Sequence, residues 1–509
     1  MKHFICLFLV FISGIALLAQ EDLEEKGKFC FSKKNYVDAL PIYKKLFEQE
    51  PDNIDYNYCL AVCYLNTFSN RENAISHLEY ISQKKNDSEI WYFLGLAYQY
   101  SNRFEDAINV LEKSKLHGDK LAGIIERQIE TCFNGKELVK FPLDVTFQNL
   151  GKSINTKYPD YFPFIPADES FMVFTSRREE NVGSLKELDG YYSSDIYISY
   201  PKDGQWINTK GLSPMINTAY DEKAVDISGT GKKMIVYLDR IDSLGNIYYS
   251  DNTKTGFQKI TRFNGDVNTA FETSGSISQD ENTLIFSSKR SGGLGGTDLY
   301  IAHKIPNGKW GTIQNLGPII NTRYNEDFPH LSLDGKTLYF ASEGHSSMGG
   351  FDIFKTVLNE EKNTWLAPQN LGYPINNAYD NMSISFAGDS TQAYLSTVKE
   401  DGLGDLDLFK VKFNNGNKRY CIITGKVTTN DTTETNLKIT ILAAKDASKE
   451  VLRYVPIKKS GKYVMALEPG NYKITISSEN MKETIIPLTI FDVPFQPEMT
   501  KDFILSKAF

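Results

Sequence analysis

The chain has 509 residues, 41% of them apolar and 24% charged, which at roughly 150 residues per domain implies about three domains rather than one core. Its 56 Lys and Arg against 64 Asp and Glu leave a net charge of −8 without long runs of one sign, a balance that argues against nucleic acid as a partner. The 29 Tyr and 31 Phe alongside 36 Gly bias the chain toward β structure with many tight turns.

Residues 1–19 read as a secretory leader. Lys2 and His3 precede an unbroken apolar stretch from Phe4 to Ile12, and small residues lead to Ala19-Gln20, where a signal peptidase could cut. Ser13-Gly14 interrupts the run, and its roughly 15 strongly apolar positions fall short of the 18 or more of a span. The small residue that a lipoprotein signal needs just before Cys6 is missing. Once the leader is removed no transmembrane segment is expected. The five cysteines beyond it, Cys30, Cys59, Cys63, Cys132 and Cys421, are odd in number and lie far from any His pair. A disulfide framework is not expected, and the four in the helical region, Cys30, Cys59, Cys63 and Cys132, read as small buried apolar residues.

From residue 20 to 140 apolar positions recur three and four apart, the period of helices. Trp91, Leu94, Gly95 and Tyr98, followed by Phe104 and Ala107, reproduce the tetratricopeptide signature, whose period is about 34 residues. Earlier copies carry Gly27, Tyr36, Ala39, Tyr43 and Pro51, then Leu60, Ala61, Tyr64, Ala74 and Leu78; Ala39 to Ala74 is 35 residues and Ala74 to Ala107 is 33. About three repeats follow, with a capping helix predicted from Leu121 to Phe133. The phase set by Tyr64 and Tyr98 places Tyr58, Leu65, Tyr92 and Gln99 on the concave face, where such arrays hold a protein partner.

At Phe141 the pattern changes to strands, and a longer repeat begins. One marker is Ile154-Asn155-Thr156, echoed at Ile216, Val267, Ile320 and Ile375; a second is Asp195-Ile196-Tyr197, echoed at Asn246, Asp298, Asp352 and Asp407. Roughly four strands per copy of 50 to 60 residues is the pattern of a propeller blade. Trp206, Trp310 and Trp365, with Phe257, share one repeat position. A strand from Leu143 to Gly151 precedes the first complete copy, and the last copy stops at Phe413 without its equivalent. The two ends should therefore pair and close a five-bladed ring over 141–413; a sixth blade would have to hide between Arg177 and Asp195. After a polar linker at 414–419, short strands at Ile422 to Val427, Leu437 to Ala443, Tyr463 to Leu467 and Tyr472 to Ile476 predict a β-sandwich over 420–509, with a hairpin bracketed by Gly461-Lys462-Tyr463 and Pro469-Gly470-Asn471-Tyr472. The fold class is thus multidomain, α then all-β: an α-solenoid, a five-bladed propeller and a C-terminal β-sandwich.

These residues carry a resemblance. The Asp-Gly-Lys turn at Asp334, its aromatic strand and the Asp-Ile-Tyr marker resemble the WD40-like repeat of TolB-type propellers. The Gly425-Lys426-Val427 opening and the Gly461 to Tyr472 segment are similar to the carboxypeptidase regulatory-like domain. In this order the three units resemble the periplasmic, outer-membrane-associated proteins of Bacteroidetes, including the OmpA-family subunit of the type IX secretion and gliding machinery. The resemblance implies a non-enzymatic scaffold in the periplasm whose partners are subunits of an outer-membrane or periplasmic complex. Those relatives continue into an OmpA-like peptidoglycan-binding domain, whereas this sequence stops at Phe509, so any contact with peptidoglycan is expected to be indirect.

No catalytic residues, metal site or cofactor are expected. The six histidines, His3, His77, His117, His303, His330 and His345, form no metal-ligating motif, and no nucleophile elbow occurs. Gly292 to Asp298 misses a calcium-binding pattern by one residue and reads as a structural turn. The acids Asp160, Asp221, Glu222, Glu272, Glu326, Asp327 and Asp380 recur just after the first marker. A propeller glycoside hydrolase would use a carboxylate pair, but recurrence in every blade points to a repeated structural contact. The other alternative is a glycan- or peptidoglycan-binding protein.

Overall fold

The computed structural model describes residues 20–67, 70–116, 121–240, 243–388, 390–414, 419–429, 440–445, 451–457, 460–479 and 481–507. The expected leader, with Cys6, and most of the expected linker lie outside these residues.

Seven α-helices among the described residues form three antiparallel pairs and a cap: α1 (20–32), α2 (Tyr36–Gln49), α3 (Ile54–Asn66), α4 (Ala74–Ser82), α5 (Ser88–Tyr100), α6 (Phe104–Leu116) and the cap α7 (Ala122–Leu138). Their starts are written locally: Asn35, Asn53 and Asp87 each accept a first-turn backbone N–H, which satisfies donors the helix leaves open. Small residues set the crossings. A Cβ on Gly95 would lie 2.5 Å from the Leu111 side chain, joining α5 to α6, and one on Gly135 would lie 2.5 Å from Phe104, joining α7 to α6. The cap helix begins one residue later than its expected start and runs to Leu138 rather than ending at Phe133, because Leu138 is buried against the sandwich and helical cores. All five described cysteines are free; Cys63, Cys132 and Cys421 are buried, while Cys30 and Cys59 are only half-buried.

The propeller has five four-stranded blades plus short accessory strands. Blade 1 runs Asp160–Phe164, Met172–Ser176, Asp195–Lys202 and Gln205–Gly211 from axis to rim; blades 2, 3 and 4 begin at Asp221, Glu272 and Glu326. Blade 5 takes Ile384–Phe386, Gln392–Thr397 and Asp407–Phe413 from the end of the repeat region, and its fourth strand, Val145–Asn149, from the start. The closing pair is antiparallel, with Val145 opposite Phe413 and Asn149 opposite Phe409. Closure removes the free sheet edges that would otherwise expose unpaired backbone. Residues 177–194 are a loop, not a sixth blade. Arg177 folds it on itself through Asp189 at 2.6 Å, Glu187 at 2.8 Å and the Tyr192 carbonyl at 2.7 Å.

In blades 1, 2 and 3 the rim aromatic packs against the preceding blade: Trp206 meets Tyr394 of blade 5 at 5.8 Å between centroids, Phe257 meets Phe171 of blade 1 at 5.8 Å, and Trp310 meets Phe263 of blade 2 at 6.0 Å.

The C-terminal unit is two packed sheets. One contains Cys421–Thr429 paired with Lys462–Leu467 and, in parallel, with Met499–Thr500 and Phe503–Leu505; the other is ordered Val451–Tyr454, Thr440–Lys445, Gly470–Ser477, Thr484–Ile490. The expected hairpin is therefore not formed. Lys462–Leu467 pairs with Cys421–Thr429, whereas Gly470–Ser477 pairs in the opposite sheet. The physical reason lies in the burial of Lys462–Leu467 on both faces. Tyr463, Met465 and Leu467 fill the sandwich core, while Val464 and Ala466, with Tyr420 and Ile422, share a core with the helical array.

Candidate functional site

The two sequence markers turn out to be two halves of one contact. Asn321 accepts from the Leu299 N–H at 2.8 Å and donates to the Leu299 carbonyl at 3.0 Å. Asn217 does the same to Ile196, Asn268 to Ile247, Asn376 to Ile353 and Asn155 to Leu408. Each marker asparagine thus ties the entry of one blade to the third strand of the preceding one. The acid that follows closes the marker turn. Asp160 accepts from the Thr156 N–H and hydroxyl at 2.6 and 2.8 Å, Glu326 from the same groups of Thr322 at 2.7 Å each, and Glu222 and Glu272 from Thr218 and Ala270 N–H. In blade 5 Asn381 takes this role, accepting from Asn377 N–H at 2.8 Å. Asp298 likewise accepts from the N–H groups of Leu294 and Gly295, which makes the glycine-rich stretch before it a structural turn.

One position later the five copies diverge. Tyr161, Lys223, Thr273, Asp327 and Met382 each follow the capping residue of their blade, and all five line one chamber of about 460 Å³ on the propeller axis. Its floor is made by Phe162 and Phe328, from blades that are not neighbours, whose rings meet across the axis at 4.6 Å. Both residues have left-handed backbones, with φ of 55° and 48°, at irregularities in their innermost strands. For bulky residues followed by proline this conformation is strained. Asp327 accepts from the Thr273 hydroxyl at 2.8 Å, the Ser274 hydroxyl and the Phe328 N–H at 2.8 Å, and burial raises its pKa. Asp380, also on the chamber wall, accepts from the Phe351 N–H at 3.1 Å.

The helical array crosses the mouth of this chamber. Arg71, just before α4, lines it with its guanidinium 4.5 Å from the Tyr100 ring of α5 and 4.9 Å from the Tyr379 ring of the propeller; those two rings stack at 5.1 Å. At one end of the array Lys186 of the blade 1 loop pairs with Asp38 of α2 at 2.7 Å. At the other, Gln99 donates to the Met348 carbonyl at 2.9 Å and Asn134 to the Ser347 carbonyl at 2.8 Å, while Arg127 donates to the carbonyls of Glu343 and Gly344. The sandwich joins the same junction through Lys462 to Glu130, and through Glu498, which accepts from Ser346 and from the Asn370 N–H.

The four residues expected on the concave face are thereby distributed. Gln99 is fully buried, held by Thr131, Gln128 and Met348, and Leu65 is buried in the helical core. Tyr58 and Tyr92 are half-buried around Phe93, at 6.2 and 5.6 Å between centroids, and burial pushes the Tyr92 phenol up to about 12. Arg71, Lys223, Phe162, Phe328 and Tyr379 were missed by sequence reasoning. The signal that could have found Lys223 is the departure from the repeat immediately after the capping position, with Phe162 and Phe328 one residue further on; Arg71, in the helical array, carries no such signal.

Comparison with known proteins gives the following. Residues 32–116 match the family described as anaphase-promoting complex, cyclosome, subunit 3, a match that falls on the tetratricopeptide helices. No curated protein matches the chain. Among solved structures, the chain is similar to TolB from Acinetobacter baumannii (12% identity, 59% of this chain and 64% of that one, TM-score 0.30) and to a putative TolB from Agrobacterium tumefaciens (11%, 64% and 98%, 0.31). It is also similar to an endo-arabinase from Bacteroides thetaiotaomicron (11%, 52% and 99%, 0.35). The chain spans just under two thirds of the Acinetobacter protein. The propeller assignment itself rests on the strand pairing described above. No described helix is long and apolar enough to cross a membrane, and no group of three or more His, Cys, Asp or Glu among the described residues is placed to hold a metal ion.

Proposed function

We propose that this chain is a non-enzymatic scaffold on the periplasmic side of the outer membrane, a component of a complex of the type IX secretion or gliding kind. The observation that carries the reading is the junction of Gln99, Arg127, Asn134, Lys462 and Glu498, through which three domains of interaction-bearing type meet around blade 4. Such a junction holds separate binding surfaces at set spacings, which serves assembly. The capping acids support the non-enzymatic part, since each is engaged in a contact repeated from blade to blade. The leader at 1–19 supports export, and the resemblance of the domain order supports the outer-membrane setting.

The test is an affinity pull-down of the tagged protein from crosslinked envelopes, read by mass spectrometry. Enrichment of outer-membrane secretion or motility subunits is the expected result. Recovery of sacculus fragments alone would overturn the scaffold reading in favour of a glycan binder, and turnover of any member of a glycan panel would overturn its non-enzymatic part.

A further inference from the structure

We infer that the cleft between blades 3 and 4 is a binding site for an uncharged oligosaccharide, one sugar ring lying against the face of Trp365. The cleft, of about 870 Å³, is within the size range of ligand sites, and it coincides with a break in the rim repeat. Trp206, Phe257 and Trp310 are buried, at 6, 6 and 8% exposure, each on a ring of the preceding blade. Trp365 holds the same repeat position in blade 4, yet it is only half-buried and meets no aromatic ring among the described residues. Blade 3 offers it the aliphatic Ile301 and Leu316, which rest with it on one shared core, and all three line the cleft.

The lining selects the class of ligand. Asp280 and Asp334 belong to it, with no Lys or Arg among the described residues that line it. The hydroxyls of Ser278 and Ser332, each donating at 2.6 Å, and the backbone N–H groups of Asn282 and Lys336 hold both carboxyls below the usual range. The Lys336 ammonium is paired with Glu360. The cleft is therefore negative and disfavours an anion. Gln279, Gln314 and Asn363 line it with side-chain amides that have no hydrogen-bond partner among the described residues. Each amide offers a donor and an acceptor, the combination that a sugar hydroxyl uses. A sugar ring carries hydroxyls at its edge and C–H groups on its faces, and C–H groups settle against the negative face of an indole. Trp365, with the exposed Ile319 and Leu333 beside it, supplies that apolar surface, and apolar surface rimmed by polar side chains marks ligand grooves. The carboxylates alone would also suit a basic peptide; the flat ring and the three uncommitted amides are what favour a sugar.

The experiment is calorimetry and ligand-observed NMR on the full-length chain with maltohexaose, cellohexaose and chitohexaose, and with hexagalacturonate and hexalysine as the anionic and cationic probes. Saturable binding of at least one neutral hexasaccharide is expected, with none of hexagalacturonate. Trp365→Ala, confirmed to melt cooperatively, should weaken that binding about tenfold or more. Asn363→Gly keeps the left-handed turn at this residue, whose φ is 50°, and removes one amide; it should weaken binding about threefold or more, and it carries the test if the tryptophan variant does not fold. Absence of saturable binding by all three neutral hexasaccharides, affinity unchanged in the folded variants, or hexalysine bound through Trp365 in their place would each overturn the proposal. Binding without turnover leaves the scaffold reading standing, and failure to bind leaves the pull-down untouched, so the two readings fail separately.

Discussion

The side-chain amide of Gln99, in helix α5, donates to the backbone carbonyl of Met348 in blade 4 at 2.9 Å, across 249 positions of sequence. The same amide donates to the Thr131 hydroxyl at 3.0 Å and its oxygen accepts from Gln128. One buried residue thereby joins α5, α7 and the propeller. Replacing it with leucine keeps the volume and strands the Met348 carbonyl, so Gln99→Leu should cost about 1–3 kcal/mol. Urea unfolding measures the loss, and faster proteolysis within residues 139–144 would show that the helical array has come loose. Gln99→Glu should be worse, because a carboxylate facing the Met348 carbonyl repels it.

The blade ladder makes a sharper test. Asn321→Ala leaves the Leu299 N–H without its partner, while the Leu299 carbonyl keeps the Leu316 N–H at 3.0 Å, so the loss should be about 1–3 kcal/mol. Asn321→Asp can still accept from the Leu299 N–H. Its second oxygen donates to the Leu299 carbonyl only when protonated. The aspartate variant should therefore approach the wild-type thermal midpoint in acid and fall below it as pH rises through the range where the new carboxyl ionises. A pH-independent gap would show that the asparagine acts by shape alone.

At the sandwich junction, burial raises Glu498 from its ordinary 4.5 to about 7 and Asp352 from 3.8 to about 7. An acid with a raised folded pKa holds its proton more tightly in the folded chain. Its contribution is thus fully favourable below the unfolded value, is lost as pH rises toward about 7, and is constant above that. Glu498→Gln should flatten this decline and make the protein more stable at pH 8 by on the order of 2 kcal/mol. Thermal unfolding of both proteins between pH 4 and 8 decides it; parallel curves would show that Glu498 ionises without penalty.

Tyr92 is half-buried beside Phe93, and as a partner anchor it is open to a direct test. Tyr92→Ala should weaken co-purification of crosslinked partners by about tenfold or more, the loss typical of an aromatic hot spot, while helical circular dichroism stays close to wild type. Unchanged capture would move the interface to the propeller.

Much of this architecture is determined by the sequence itself, because its information is local and repeated. Each blade carries its own marker asparagine, a capping acid or, in blade 5, Asn381, and an aspartate turn or, in blade 2, Asn246, so the period, the blade number and the ring closure between Val145 and Phe413 follow from counting copies. The helix pairs follow similarly from small residues such as Ala39, Ala74, Ala107 and Gly95, which recur where helices cross.

What only the tertiary structure decided is everything that depends on surfaces meeting far apart in the chain. Lys462–Leu467 and Gly470–Ser477 look like a hairpin locally; the first strand instead buries a second face, Val464 and Ala466, against the helical array, and apolar burial outweighs the pairing of neighbours. Gln99 has the phase of a concave-face residue, yet its partner is the protein's own propeller. The chamber is least legible of all, since Arg71, Lys223 and Phe328 share no motif and are brought together only by ring closure and by the array lying across its mouth.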